Sequence, residues 1–160
     1  MATKVKMVTA FSICGVVTTA LGAAGGFTAR ADDVGAAIYD GVNQRRQTCG
    51  VIGEDPRLTV AAQRHANDMM INGVGGGHIG SDGSSPQARI VDAGYTRAGH
   101  TSEIVYWGTG SRATPSAALD MWMESPAHRT IILDCTLTAV GVAVAWGGNK
   151  MIAVGDFAGP

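Results

Sequence analysis

The chain has 160 residues, enough for one domain around a single core. Twelve Lys and Arg are set against thirteen Asp and Glu, and no basic run lies beyond the first thirty residues, which excludes nucleic acid as a partner. Aromatic residues make up only 6% of the chain, too few for a carbohydrate platform of stacked rings.

The amino terminus reads as a cleaved leader. Lys4 and Lys6 form a basic start, Met7 to Phe27 carries no charge, and Ala29-Arg30-Ala31 has the small-x-small form of a signal-peptidase site. The domain plan is therefore a signal peptide over 1–31 and one domain over 32–160. The apolar run is also long enough to be weighed as a membrane anchor, but its Gly, Ala and Thr content and the Ala-x-Ala ending favour cleavage. Membrane contact is then confined to the leader before its removal, and the mature chain is expected to be a monomer in the extracellular space or cell envelope. Cys14 follows Ile13, not a small residue, so a lipid-anchored cysteine is not expected. Removing the leader leaves two cysteines, Cys49 and Cys135. In an oxidising compartment an even count suggests a disulfide, with two buried free thiols as the alternative.

Val34 to Thr48 has apolar positions at Ala37, Ile38, Gly41 and Val42 and reads as a helix ended by Cys49-Gly50. In a second helix Asp55 is the cap and Pro56 sits in the first turn. Leu58, Ala61, Ala62, His65, Ala66, Met69 and Met70 line its buried face. His65 on that face reads as a hydrogen-bonded core residue. Asn72-Gly73 stops the helix. A glycine-rich loop then presents His78, and Ser84 or Ser85 caps a short helix that starts at Pro86 and runs to Asp92. His100 to Trp107 reads as a strand with Glu103 at its entry. Thr114-Pro115 opens another helix, and Ser125-Pro126 restarts the chain as a helical turn over Ala127 to Leu133. Ala139 to Trp146 and Met151 to Phe157 form a closing hairpin around Gly147-Gly148-Asn149-Lys150. Helices come first and strands late, with no βαβ rhythm, so the fold class is α+β.

His78, Glu103 and His128 are polar groups carried on turns or element starts. His128 falls in the first turn of its helix, where backbone N–H groups disfavour a positive charge and favour the neutral imidazole. Two neutral imidazoles and one carboxylate would make a three-ligand zinc set with a position open for water. The spacing is not local, so the residues alone favour three unrelated surface polar groups over a metal site. No Gly-x-Ser-x-Gly elbow and no phosphate loop ending in Gly-Lys-Ser/Thr occurs.

Asn43-Gln44-Arg45-Arg46, Asp55-Pro56-Arg57-Leu58 and Ala61 to Met69 come first, followed by His78 to Ser84, Arg89-Ile90 with Ala93-Gly94-Tyr95, and Glu103. Trp122 to Arg129 and Val140-Gly141-Val142-Ala143 close the series. Together these resemble the CAP superfamily of cysteine-rich secretory, antigen 5 and pathogenesis-related group-one proteins, and its small bacterial members above all. The resemblance implies an α-β-α sandwich with a central antiparallel sheet flanked by helices, secretion, and a cleft with a His/Glu cluster. It matches His78, Glu103 and His128 to residues that bind a divalent metal, commonly zinc, in some members, and makes Glu124 a candidate cleft acid. Ser102 and Ala127 stand where the family usually has Gly. The function implied is a binding module for a lipid, a sterol or a cell-envelope component. A zinc-dependent peptidase or esterase is the alternative, and an extracellular interaction protein without a small ligand is a third reading.

Overall fold

The computed structural model describes residues 24–160, with side chains from residue 31 onward. Most of the leader expected over 1–31 thus lies outside the described residues. The elements follow as α1 (Ala24–Arg45), β1 (Gly53–Glu54), α2 (Pro56–Asn72), α3 (Pro86–Asp92), β2 (His100–Thr109), α4 (Pro115–Glu124), α5 (Pro126–Ile132), β3 (Ala139–Gly147) and β4 (Lys150–Gly159), with one 3-10 turn at Gly110–Arg112.

The sheet runs in the order β1-β3-β4-β2. β2 and β3 both pair antiparallel with β4, and β1 joins β3 in parallel. The sheet is therefore mixed, where an antiparallel one was expected. β1 has only two residues and no alternation for a sequence pattern to detect. The hairpin expected around Gly148 and Asn149 is present, and Gly148 takes φ 60°, which the tight turn requires.

Helices cover both faces of the sheet. Ile38 and Val42 of α1, Leu119 and Trp122 of α4 and Ile132 of α5 pack on one face against Ile104, Tyr106, Val140, Val142 and Phe157. Ala62, Ala66 and Met69 of α2 pack on the other against Val105, Ala143, Ile152 and Val154, with Leu58, Ala61 and Ile90 continuing that layer toward α3. The result is an α-β-α sandwich. At Gly141 the backbone of α2 comes so close that a Cβ would collide with Leu58 and Thr59.

The helix starts follow their capping residues. Asp55 accepts the Arg57 N–H at 2.9 Å and Ser85 accepts the Ala88 N–H at 3.2 Å. Ser125 begins α5 without a side-chain cap bond. α1 extends from Ala24 to Arg45, beyond the start expected at Val34 and short of the end expected at Thr48. It stops early because the Arg46 guanidinium turns inward to the carbonyls of Ile132 (2.6 Å), Asp134 (3.0 Å) and Leu137 (2.7 Å). The following turn carries Cys49 to Cys135, with which it forms a disulfide. Among the described residues no helix is long and apolar enough to cross a membrane.

Candidate functional site

The loop between α2 and α3 is held from both sides. Gly73 at φ 93°, Gly77 at φ 60° and Gly83 at φ 80° allow its reversals. Asp68 of α2 accepts the Ser81 N–H at 2.8 Å, and Arg64 bridges Asp82 and Asp92 at 2.8 Å each. Serine and arginine bonds hold the Asp82 carboxyl well below the usual carboxylate range. His65, buried as expected for a core residue, donates from Nε2 to the Gly77 carbonyl at 2.9 Å. Arg89 of α3 donates to the carbonyls of His78 (3.0 Å) and Ser84 (2.8 Å). These bonds fix the loop and aim one side chain, His78, inward.

Its partner is Glu103. His78 Nδ1 donates to Oε1 at 2.8 Å, and Arg89 Nη2 donates to Oε2 at 2.7 Å. His65 Nε2 stands 3.8 Å from Oε1. The Glu103, Arg89 and His65 side chains are each 1% exposed, whereas His78 is 47% exposed. A charge buried to this degree persists only when paired, and Arg89 supplies that pairing. The carboxylate also holds the His78 imidazole above the ordinary histidine range, because the charged ring makes the stronger bond. The bond to Glu103 thus favours the charged form of His78, whereas a metal ligand would need the neutral imidazole.

Asp156 lies directly across the β2–β4 ladder from Glu103 and is fully buried. No donor reaches its carboxyl oxygens among the described residues, and the one side chain it bonds, when it carries a proton, is Glu103. Burial, followed by the facing Glu103 charge, pushes its acid well above the usual carboxylate range. Sequence reasoning passed over both Asp156 and Arg89. The first left a signal, an acid in the otherwise apolar run Met151 to Phe157. The second stood in the Arg89-Ile90 stretch that carried the resemblance, but nothing local showed that packing turns it toward Glu103.

His128 is half-buried on α5, and its Nδ1 is buried without a partner. Burial lowers its basicity, and the nearby His78 charge lowers it further, so the neutral ring is favoured, by a different leading cause than the helix start. Glu124 ends α4 exposed, with no hydrogen bond or ion pair among the described residues, as a solvated helix end. Among the described residues no three His, Cys, Asp or Glu side chains are grouped to hold a metal ion. Glu103 in particular is already bonded by a histidine and an arginine, and a divalent cation there would face the guanidinium.

In front of the pair opens a cleft of about 350 Å³, lined by His78, Ser85, Pro86, Gln87, Thr101, Ser102, Glu103 and Ile131. Ser85 is occupied as the α3 cap, and Ser102 makes no bond to a base, so among the described residues neither serine lining this cleft is activated as a nucleophile. A larger cavity of about 590 Å³ lies away from these groups, between the start of α1, α2 and β3, with Met70, Ile71, Val144 and Trp146 in its wall.

Comparison with solved structures places the same architecture in several proteins. An outer surface protein from Borrelia burgdorferi matches with a TM-score of 0.66 at 20% identity, over 78% of this chain and 90% of that one. An extracellular SCP-domain protein from Bacillus anthracis matches at 0.72 and 19%, over 84% of this chain and 43% of its own. Venom allergen-like protein 4 from Schistosoma mansoni matches at 0.59 and 11%, over 79% and 88%. At these identities the likeness speaks for the fold alone. No curated protein sequence gives a significant match. The model of the cysteine-rich secretory protein family, CAP, matches residues 39–157. That span holds the loop of His78, the strand of Glu103 and the helix of His128, and the chain belongs to the CAP family.

Proposed function

We propose that the chain is a secreted binding module whose cleft takes a small cell-envelope, lipid or sterol ligand. The observation that carries this reading is the saturation of Glu103. Its oxygens are engaged by Arg89 and His78, so it is committed to orienting His78 rather than to abstracting a proton or holding a nucleophilic water. What remains for a ligand is the half-exposed His78 ring, the Ser102 hydroxyl, and the apolar surface of Pro86 and Ile131, since the Thr101 hydroxyl already donates to Gln87 Oε1 at 2.6 Å. This mixture suits a molecule with an acceptor group on an apolar body.

A divalent metal is an optional part of this reading. The imidazoles of His78 and His128 are the groups that would hold it, with Glu103 orienting the first from behind. Secretion is supported by the leader pattern, the Cys49–Cys135 disulfide and the extracellular or outer-surface description of structural relatives.

The test has two arms. Hydrolysis of generic peptide and ester substrates by the zinc-loaded protein is compared with that of the His78→Ala/His128→Ala variant. Equal background rates are expected, and a rate lost in the variant would establish the hydrolase instead. In the second arm, protein incubated with an envelope lipid extract is re-purified and its retained molecules are weighed by mass spectrometry. Retention that disappears when Ser102→Trp fills the cleft is the expected result. Retention unchanged by that substitution places the ligand elsewhere.

A further inference from the structure

The end of β2 carries a second constellation, which shares no residue with the cleft. The chain leaves the sheet at Thr109 and turns back through Gly110–Arg112, and that turn is fixed at several points. Gly110 takes φ 57° and donates its N–H to the Asn149 carbonyl at 2.9 Å. The Ala113 N–H reaches the Gly110 carbonyl at 3.1 Å. The Tyr106 hydroxyl donates to the Arg112 carbonyl at 2.6 Å, and its ring stands edge-on to Trp122 with centroids 6.5 Å apart. Gly108 permits the approach, because a Cβ there would meet both the Arg112 carbonyl and the Tyr106 hydroxyl.

This arrangement encloses about 380 Å³ between Tyr106, Trp107, Gly108, Thr109, Arg112 and Met121. Two of these residues lack what their chemistry demands. Trp107 is 48% exposed, a large apolar surface left in water. Arg112 is exposed and makes no side-chain hydrogen bond or ion pair among the described residues. Arg45, Arg57 and Arg64 each sit on an aspartate and Arg89 on Glu103, while Arg97, exposed like Arg112, makes no side-chain bond among the described residues. No acidic residue lines the cavity, so nothing in its wall answers the guanidinium.

We infer that the turn after β2 forms a binding site for a small carboxylate with an apolar body, in which Arg112 receives the carboxylate, Tyr106 and Met121 receive the body, and Trp107 stands at the rim on the strand's other face. A planar guanidinium takes a carboxylate through two parallel hydrogen bonds, and a phenol ring with a thioether makes an adaptable apolar wall. The volume lies near the lower end of small-ligand pockets, which fits an aryl or branched-chain acid and not a long acyl chain. The same chemistry is offered by a free acid and by the last residue of a peptide. A rigid, pre-formed turn reduces the ordering cost that either would meet.

Nuclear magnetic resonance titration of the isotope-labelled protein tests this with 3-phenylpropanoate, its uncharged amide, and an N-acetylated dipeptide ending in a free phenylalanine carboxylate. The acid is expected to shift the Trp107 indole and the Thr109 and Arg112 amides at millimolar concentration, and the amide is not. Arg112→Gln, an exposed change whose fold is checked by unmoved β4 resonances, should weaken binding about tenfold or more, the scale of a charge-assisted hydrogen bond. Arg112→Lys should fall between, and His78→Ala, which alters the cleft alone, should leave the acid's affinity for this turn as it was. Tighter binding of the dipeptide assigns the site to a peptide terminus, and equal or weaker binding assigns it to a free acid. Absence of shifts, equal binding of acid and amide, an unchanged Arg112→Gln, or shifts centred on Ser102 would each overturn the inference.

Discussion

Arg89 is the residue on which the polar centre depends most. It neutralises Glu103, and it ties the His78 and Ser84 carbonyls to α3. Arg89→Met should therefore leave a buried carboxylate unpaired and cost about 3–5 kcal/mol, read as a lower denaturation midpoint. His78 and His128 should titrate on opposite sides of the ordinary histidine value when followed by the NMR signals of their rings. His78 is raised, so the stability it lends is complete below the ordinary range and is lost as pH rises through its folded value. His128 is lowered, so its contribution is present above the ordinary range and is lost as pH falls through its own folded value. Asp156 has the sign of His78: its acid is raised, and the native state holds its proton to higher pH than the unfolded chain. Asp156→Asn, which has no proton to lose, should gain stability over the natural protein as pH climbs from the acid range toward neutrality. A constant difference across that range would show that Asp156 titrates as an ordinary carboxylate.

Elements with strong local signals were legible, and those made by tertiary contact were not. α2 and α3 begin where Asp55-Pro56 and Ser85-Pro86 place them, because a cap and a proline act within one turn. The β3–β4 hairpin was legible for the same reason. β1 was hidden because Gly53 and Glu54 become a strand only by lying beside Ala139 and Val140. The site divides along the same line. His78, Glu103 and His128 stood out as polar groups on turns and element starts, and the family resemblance supplied their convergence, whereas Asp156 joins Glu103 only through the register of two strands far apart in sequence. Close packing between elements makes a further prediction. Gly141→Ala would push a methyl group into the backbone of α2 at Leu58 and Thr59, and should cost about 1–3 kcal/mol in a thermal or denaturant melt.

For the molecule as a whole, β4 is the axis. It is paired on both sides, sandwiched between helical layers, and buried at every residue from Met151 to Gly159. Its amides, with those of β3 facing it, should exchange most slowly with solvent, and the loop of His78 faster. Uniform protection across the sheet and the loop would contradict that order. The polar centre lies where α2, α3, β2, β4 and the glycine loop converge, so the wall of the cleft is anchored in the most stable part of the fold. That anchoring favours a rigid receptor over a surface that reshapes on contact.

The Arg46 clamp has a consequence for how the chain matures. The guanidinium gathers the carbonyls of Ile132, Asp134 and Leu137, the same stretch of chain that carries Cys135. The two thiols are therefore delivered to each other by non-covalent structure, and oxidation records a proximity that already exists. With Cys14 removed in the leader, as the secreted reading requires, no rival thiol remains and only one intramolecular pairing can form. A reduced sample should accordingly keep native circular dichroism, melt at a lower temperature, and re-form its single bridge in air without the help of an isomerase.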